Sequence, residues 1–519
     1  MSTRAATLRN TLFSSVAMYT EYVLGMLVSI IIARHLGPGG YGTYSMLIWT
    51  VAMGVAVTNA GTVSASVKFI AELRGAGRGD QVPGLVAYLR RIQRRFLFGV
   101  VALAVAGFAV AGGELAPGLG HPGLAGFFAV AIALRAGYMF NLGVARGFED
   151  FRAVALVSVV SMPINLLLVA VAWQLGASIG WLLAVFLFSS AVFHVLSAVQ
   201  LRRLLGGGAG RAAVPPPQLA GRIRRHVWFS AAIGGSYFLA ASEVEVLFLN
   251  LFASAGDAGH FKVAHQLALG AANLVPGVFG ALLLPMMAGA IGMGGGVAGR
   301  RFVASTRYLM VLAAPLLAFG ATFATEIVAL LYGPAYAAAA PVLMVCLAAA
   351  CVSATTLGGS SLLISADQQR EVLWVVVGNG LLKLALGAAA VHAFGLAGAM
   401  AVHGVAAVVA AVAIMALAIR SCGAVPEWWR LLRVAVAAAL AAGLASPALL
   451  LVHPAAALAV GGGLMVLAYV PLSLLSGAWD QADIEHAQRL HQRWAAGRPR
   501  ACHRLLSWAH RRSPGHGLQ

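Results

Sequence analysis

A chain of 519 residues that is 61% hydrophobic and only 10% charged departs from soluble domains, where about 45–50% and about 25% are usual. That composition excludes an ordinary soluble globular protein. The formal charge of +19, from 35 Lys+Arg against 16 Asp+Glu, would in a soluble chain point to nucleic acid. Here apolar stretches of about 20 residues, each enough to cross a hydrocarbon core of about 30 Å as a helix, recur along the whole length. The chain reads as an all-α polytopic membrane protein with membrane lipids, and no nucleic acid, around it.

Arg4 and Arg9 precede the first apolar run, as in a signal peptide. The run over 11–33 is too long for one and is interrupted by Glu21, so it reads as an uncleaved first span. Further stretches of membrane length fall at 41–66, 96–113, 124–145, 153–173, 177–199, 228–252, 261–288, 308–331, 339–365, 372–394, 396–419, 434–453 and 455–476. Fourteen transmembrane helices are thus predicted. Of the 35 Lys and Arg residues, 31 lie in the N-terminus, the C-terminal tail and alternate connections. The positive-inside rule then puts both termini in the cytoplasm, as expected of a multi-pass protein of a bacterial inner membrane.

The basic segment 201–227 contains Gly206-Gly207-Gly208 and Pro215-Pro216-Pro217, a linker composition. It separates a six-helix bundle over 1–200 from a second over 228–420; 421–476 adds two C-terminal helices and 477–519 a basic tail able to form a short amphipathic helix on the membrane. Each bundle begins and ends on the cytoplasmic side, so a repeat relating them is parallel, a pseudo-two-fold along the membrane normal. A short echo agrees with it: Gly42-Thr43-Tyr44 and Gly259-His260-Phe261 both place Gly-x-aromatic at a second helix.

The segment Ala33-Arg34-His35-Leu36-Gly37-Pro38-Gly39-Gly40-Tyr41-Gly42-Thr43-Tyr44 resembles the signature of the bacterial polysaccharide flippases, which handle O-antigen or exopolysaccharide repeat units. They belong to the superfamily of multidrug exporters and oligosaccharide-lipid flippases. Gly259 to Ala264, Leu330 to Tyr336 and Phe394 to Ala399 resemble that family's start of helix 8 and its turns between helices 9 and 10 and between 11 and 12. Physically, the glycines and prolines let the chain reverse tightly at the membrane surface, and the tyrosines suit the interfacial belt. The resemblance implies two bundles around a central cavity that opens alternately to either side. It also implies a polyprenyl-diphosphate-linked oligosaccharide as cargo and a polysaccharide polymerase or export proteins as partners.

Ionisable residues at bilayer depth cost at least about 2.5–3.5 kcal/mol and normally face a cavity or a partner. Arg135 and Lys383 fall near the middle of predicted helices, and Lys262 lies near an external helix end. These cations, with Asn379 one turn before Lys383, are the candidate substrate-binding residues for a diphosphate or acidic sugar. For Arg135 a structural pair with a carboxylate stands as the alternative, and Lys262 also suits snorkelling to the surface.

Glu21, Glu243 and Glu245 are the candidate ion-coupling residues, with H+ or Na+ as the ion and no other cofactor. Glu243 and Glu245 lie about 200° apart around a helix, so facing one lumen together requires a distorted helix. Asn59 and Asn141 have polar side chains suited either to sugar contact or to packing between helices.

Two other functions share parts of this pattern. A cation-coupled multidrug antiporter or a lipid II flippase of the same superfamily fits the helices. A membrane polysaccharide polymerase or ligase needs larger external loops than the predicted ones of about ten residues or fewer. No P-loop or nucleophile motif is present, so a transporter rather than an enzyme is expected. Cys346, Cys351, Cys422 and Cys502 have no metal-ligand spacing and read as structural.

Overall fold

The computed structural model describes residues 3–115, 121–206, 217–241, 244–274, 280–294 and 296–475, with 477, 479, 484 and 485. Glu243, Cys502, most of the linker glycines and prolines and nearly all of the basic tail lie outside the described residues.

All regular elements among the described residues are helical. In chain order they are α1 (Thr3–Thr58), α2 (Thr62–Gly75), α3 (Val82–Leu115), α4 (His121–Gly147), α5 (Phe151–Gln174), α6 (Ile179–Leu205), α7 (Pro217–Ala241), α8 (Val244–Phe252) and α9 (Ala255–Leu274). They continue with α10 (Gly280–Met293), α11 (Val297–Thr322), α12 (Ala324–Tyr332), α13 (Ala339–Thr355), α14 (Leu357–Ser365), α15 (Gln369–Cys422), α16 (Trp428–Ala445) and α17 (Pro454–Leu475).

Nine helical segments among the described residues are long and apolar enough to cross a membrane. Two are double length, and each is broken at a glycine: Gly37 in α1 (φ 68°, ψ 177°) and Gly395 in α15 (φ 55°, ψ −131°). Positive φ is accessible to glycine without the Cβ penalty. These breaks fall where the hydropathy pattern separates helices 1 from 2 and 11 from 12.

Other predicted stretches are single in the hydropathy profile but divided in the structure. The stretch 41–66 stops at Thr58 and restarts at Thr62 after Gly61 (φ 69°), 308–331 is interrupted at Phe323, and 339–365 at Thr356. Each break spans only a few residues, so a hydropathy window of membrane length averages over it.

The chain forms two compact units, residues 1–262 with 387–396 and residues 263–386 with 397–519. In the first, α1 packs along α5 and α4, and α4 along α6, α2 and α3. The apolar core there includes Phe69, Ile70, Leu85, Leu89 and Phe140.

In the second unit, α11 packs against α13 and α16, and α16 against α17. The face of α16 that does so carries Val434, Ala437, Ala438, Ala441, Ala442 and Ala445, all buried. Small side chains at helical spacing let backbones approach closely where lipid supplies no hydrophobic drive. Tyr469 of α17 donates its hydroxyl to Val311 O of α11 at 2.7 Å, and Gly461 leaves room for the ring of Phe323.

Candidate functional site: a charged cluster among apolar helices

Glu21 and Arg135 are brought into one cluster in the first unit. Glu21 is half-buried on α1, where its Oε1 accepts hydrogen bonds from Ser158 Oγ on α5 at 2.5 Å and, more loosely, from Tyr138 OH on α4 at 3.4 Å. Arg135 stands one turn before Tyr138 on α4. Its Nε donates to Ser190 Oγ on α6 at 2.9 Å, and Ser190 in turn donates to Phe186 O at 2.7 Å.

The Arg135 guanidinium lies over the rings of Phe186 and Phe193, at 4.8 and 5.0 Å from their centroids. A planar, weakly hydrated cation stacked on aromatic faces keeps favourable electrostatics, and the Glu21 carboxylate also acts on it through space. Hydroxyls bond the acid, and a hydroxyl and two rings hold the base. The hydrogen-bonding and stacking partners Ser158, Tyr138, Ser190, Phe186 and Phe193 carry no charge, and no sequence signal marks them.

A second polar network continues along α4. Arg90 Nη2 donates to Asn141 Oδ1 at 2.5 Å, Asn141 Nδ2 to Ser197 Oγ at 3.0 Å, and Gln93 Nε2 to Asn59 Oδ1 at 2.6 Å and to Ala136 O at 3.0 Å. Asn59 and Asn141 therefore join helices.

The remaining candidates are placed elsewhere. Glu245 is 2% exposed in the first turn of α8, a position where a helix dipole favours a carboxylate. Lys262 is half-buried on α9. Lys383 is buried on α15 in the second unit. Asn379 lies one turn before it, with a buried Oδ1 that makes no hydrogen bond among the described residues.

The second unit also contains charged or titratable residues that the hydropathy reading did not select. Arg307 follows ten residues, about 15 Å, after the start of α11 and is 6% exposed, although the apolar run alone assigns it to a connection. His265 and His403 are both buried, with ring centroids 5.2 Å apart at 85°.

Among the described glycines of the first unit, those of the glycine-rich motif meet the closest neighbours. A Cβ on Gly42 would stand 2.8 Å from Ala255 C and 2.9 Å from Gly259 N, and closer still to Ala255 O; one on Gly259 would collide with the carbonyl of Pro38. The two segments that echo each other in sequence therefore meet through their glycines.

At α2 and α7 a similar approach places Gly61 against the backbone of Val227. Beside it, His226 Nε2 lies 2.9 Å from Ser64 Oγ, and Arg222 makes two bonds to Glu72 at 2.9 and 3.1 Å. Burial first, and then the nearby Lys68 ammonium, push the His226 imidazole below its ordinary range.

The polysaccharide biosynthesis protein family model matches residues 7–290, more than half of the chain. The chain belongs to the polysaccharide biosynthesis protein family. No curated protein matches it significantly.

Among solved structures, this family member is similar to the lipid II flippase MurJ in an inward closed conformation. The TM-score is 0.68 at 10% identity, covering 90% of this chain and 98% of that one. It is also similar to an inward-facing multidrug resistance MATE family transporter of the MOP superfamily, at TM-score 0.65 and 15% identity over 80% and 98% of the two chains. A MOP superfamily transporter from Pyrococcus furiosus gives 0.52 at 14% identity over 80% and 95%. At these identities the likeness establishes the fold, so this polysaccharide biosynthesis protein is a multi-pass membrane protein with the MOP transporter fold.

Proposed function

We propose that the protein is a flippase that moves a polyprenyl-diphosphate-linked oligosaccharide from the cytoplasmic to the outer leaflet by alternating access. It serves surface or exopolysaccharide synthesis in a bacterial inner membrane, with both termini cytoplasmic. The observation that carries this reading is the conjunction of a polysaccharide-synthesis family with a transporter fold: a sugar polymer assembled on a lipid needs a step that crosses the membrane. The protein makes and breaks no bond in its cargo.

In this reading Arg135 is the main anion contact. Its stacking on Phe186 and Phe193 fixes the guanidinium plane, and fixed cations replace part of the hydration that a diphosphate or acidic sugar loses. Lys383 with Asn379, and Lys262, are the further candidates for that role.

Glu21 is the coupling acid for H+ or Na+, with Glu245 and Glu243 as the further candidates. Binding of the ion neutralises the Glu21 carboxylate that Ser158 and Tyr138 now support, weakening the bonds among α1, α4 and α5. A ligand shifts a conformational equilibrium through such differential contacts.

The test is deletion of the chromosomal copy with measurement of the leaflet in which the lipid-linked intermediate accumulates. Intermediate trapped on the cytoplasmic leaflet, rescued by wild type but not by well-expressed Arg135→Ala or Glu21→Gln, is the expected result. Unchanged intermediate with raised drug sensitivity would replace this reading by multidrug antiport.

A lipid II flippase is the second reading, supported by the likeness to MurJ over 90% of this chain against 80% for the MATE transporter. In that case depletion traps peptidoglycan precursor instead.

A further inference from the structure

The first unit contains a second arginine that the assignments above leave without a role. Arg90 lies near the start of α3, just before the apolar run over 96–113. Its guanidinium is 5.3 Å from the centroid of the Phe140 ring, and Nη2 donates to Asn141 Oδ1 at 2.5 Å. Asn141, 2% exposed, is itself fixed by its bond to Ser197 of α6. The plane of the cation is therefore set, while Nε and Nη1 donate to nothing among the described residues.

The surroundings add a further donor without an acceptor. Gln93 lies three residues on, on the same face of α3, and gives Nε2 to both Ala136 O and Asn59 Oδ1. Because a backbone carbonyl only accepts, these bonds fix the orientation of both amides, and Asn59 is held by its oxygen alone. Asn59 is 8% exposed, and its Nδ2 is buried with no hydrogen-bond partner among the described residues. Buried donors are normally satisfied, so one left over calls for an acceptor from outside the chain.

The charges call for the same partner. Arg94 follows Arg90 by one turn, and neither makes an ion pair among the described residues. Burial first, and then the Arg94 guanidinium, push Arg90 below its ordinary range, the reverse of what a carboxylate partner would do. Like charges one turn apart destabilise the helix that carries them. An anion seated among them removes the repulsion and supplies the missing acceptors, and a guanidinium fork with an amide N–H suits phosphate oxygens.

We propose that Arg90, Arg94 and the Asn59 amide form an anion-binding site that takes the diphosphate of the lipid-linked cargo before Arg135 does. The site stands at the start of α3 and the end of α4, which the proposed topology puts on the cytoplasmic side. Arg135 and Asn141 bond to α6 at Ser190 and Ser197, seven residues and about 10 Å apart on one face, so the two arginines follow each other along one seam. The name of the ligand rests on the flippase reading; the need for an anion rests on the donors.

The experiment measures lipid binding to the full chain in detergent by native mass spectrometry, with undecaprenyl diphosphate, undecaprenyl phosphate and phosphatidylglycerol in separate arms. Wild type is expected to hold undecaprenyl diphosphate most tightly. Arg94→Gln removes one exposed cation and should weaken that binding about fivefold. Arg90→Gln also removes a charge-assisted hydrogen bond and should weaken it at least about tenfold. Without added lipid, Arg94→Gln should melt at or above wild type because it relieves the like-charge pair, which a purely structural arginine would not do.

Unchanged affinity for undecaprenyl diphosphate in both variants overturns the proposal. Phosphatidylglycerol held as tightly as undecaprenyl diphosphate, and weakened equally by both variants, also overturns it, since the site then serves headgroups of the surrounding leaflet. Should Arg90→Gln fold poorly, Asn59→Asp decides with Arg94→Gln: it gives the cations an anion of the protein's own and should abolish selective binding while raising the melting point. The leaflet assay on the same variants separates the two readings. Deletion that traps intermediate, with flipping and affinity intact in both arginine variants, refutes the site alone. Deletion that traps nothing refutes the flippase reading, while diphosphate binding lost in both variants still supports the site.

Discussion

Gly42→Ala isolates the contact between the two echoing motifs. Gly42 has ordinary helical φ, so the alanine meets no backbone penalty there, and the effect is steric alone. The new Cβ would lie 2.8 Å from Ala255 C and 2.9 Å from Gly259 N, whereas unstrained contacts sit near 3.5–4.0 Å. The two helix ends must therefore separate by about 1 Å. Because the obstructing atoms are backbone, no rotamer change relieves the clash, and the cost belongs at the upper part of the overpacking range, about 2–3 kcal/mol.

Gly39→Ala is the control three residues away, with nothing within 4 Å of its Cβ, where alanine in place of glycine gains about 0.5–1 kcal/mol of helix propensity. The assay is heat treatment in detergent followed by fluorescence-detected size exclusion. Gly42→Ala should melt several degrees below wild type and Gly39→Ala at or above it. Gly259→Ala relieves no strain of its own and opens the same contact, so the double variant should cost less than the sum of the two single ones. Equal melting of Gly42→Ala and Gly39→Ala would refute the close approach.

The stacking of Arg135 on Phe193 predicts a coupling of about 0.5–2 kcal/mol in a double-mutant cycle of Arg135→Met with Phe193→Leu; strictly additive melting would show that the ring does not hold the cation. His226 is pushed below its ordinary value in the folded protein, so its neutral form is the folded one, and the α2–α7 contact is at full strength above about pH 6.5 and weakens as pH falls below it. Protection of α2 amides, taken relative to the intrinsic exchange rate at each pH, should fall from pH 7.5 to pH 5 in wild type and lose that dependence in His226→Gln, with Lys68, Glu72 and Arg222 unaltered; a flat wild-type protection profile disproves it. Tyr469→Phe removes the buried bond to Val311 O and should destabilise by about 1–3 kcal/mol because the carbonyl loses its donor, read as a lower melting point with the fold retained.

The helices were legible because a lipid solvent imposes runs of apolar residues about 20 long, and the chain reversals at Gly37 and Gly395 were legible because glycine stands where apolarity lapses. The breaks near Gly61, Phe323 and Thr356 were not, since each is only a few residues long and a window of membrane length averages over it. At the site, Glu21 and Arg135 were visible as charges out of place, yet Ser158, Ser190 and the two phenylalanines were not, because a hydroxyl or a ring in a membrane helix is ordinary packing material. Arg307 shows the opposite error. A hydropathy window begins the helix after the arginine, whereas a helix begins where its backbone does, ten residues earlier at Val297.

The glycine motif and the charged cluster lie on one helix and answer different requirements. The carboxylate of Glu21 stands 16 residues, about 24 Å of helix, before the break at Gly37, and Gly42 begins its contact with Ala255 and Gly259 five residues beyond that break. Across the break, Ser29 Oγ and Tyr41 OH are hydrogen-bonded at 2.5 Å, so the two segments of α1 are tied at a defined angle. A change at either end is therefore carried by a rigid segment to the break, where a glycine can absorb it through φ and ψ that no other residue adopts as readily. This makes sense of a signature motif without a charged group of its own at the glycines. Its residues let the helices approach and reverse, while the charges proposed to meet an anion or an ion, Arg135 and Glu21, stand elsewhere among α1 and α4.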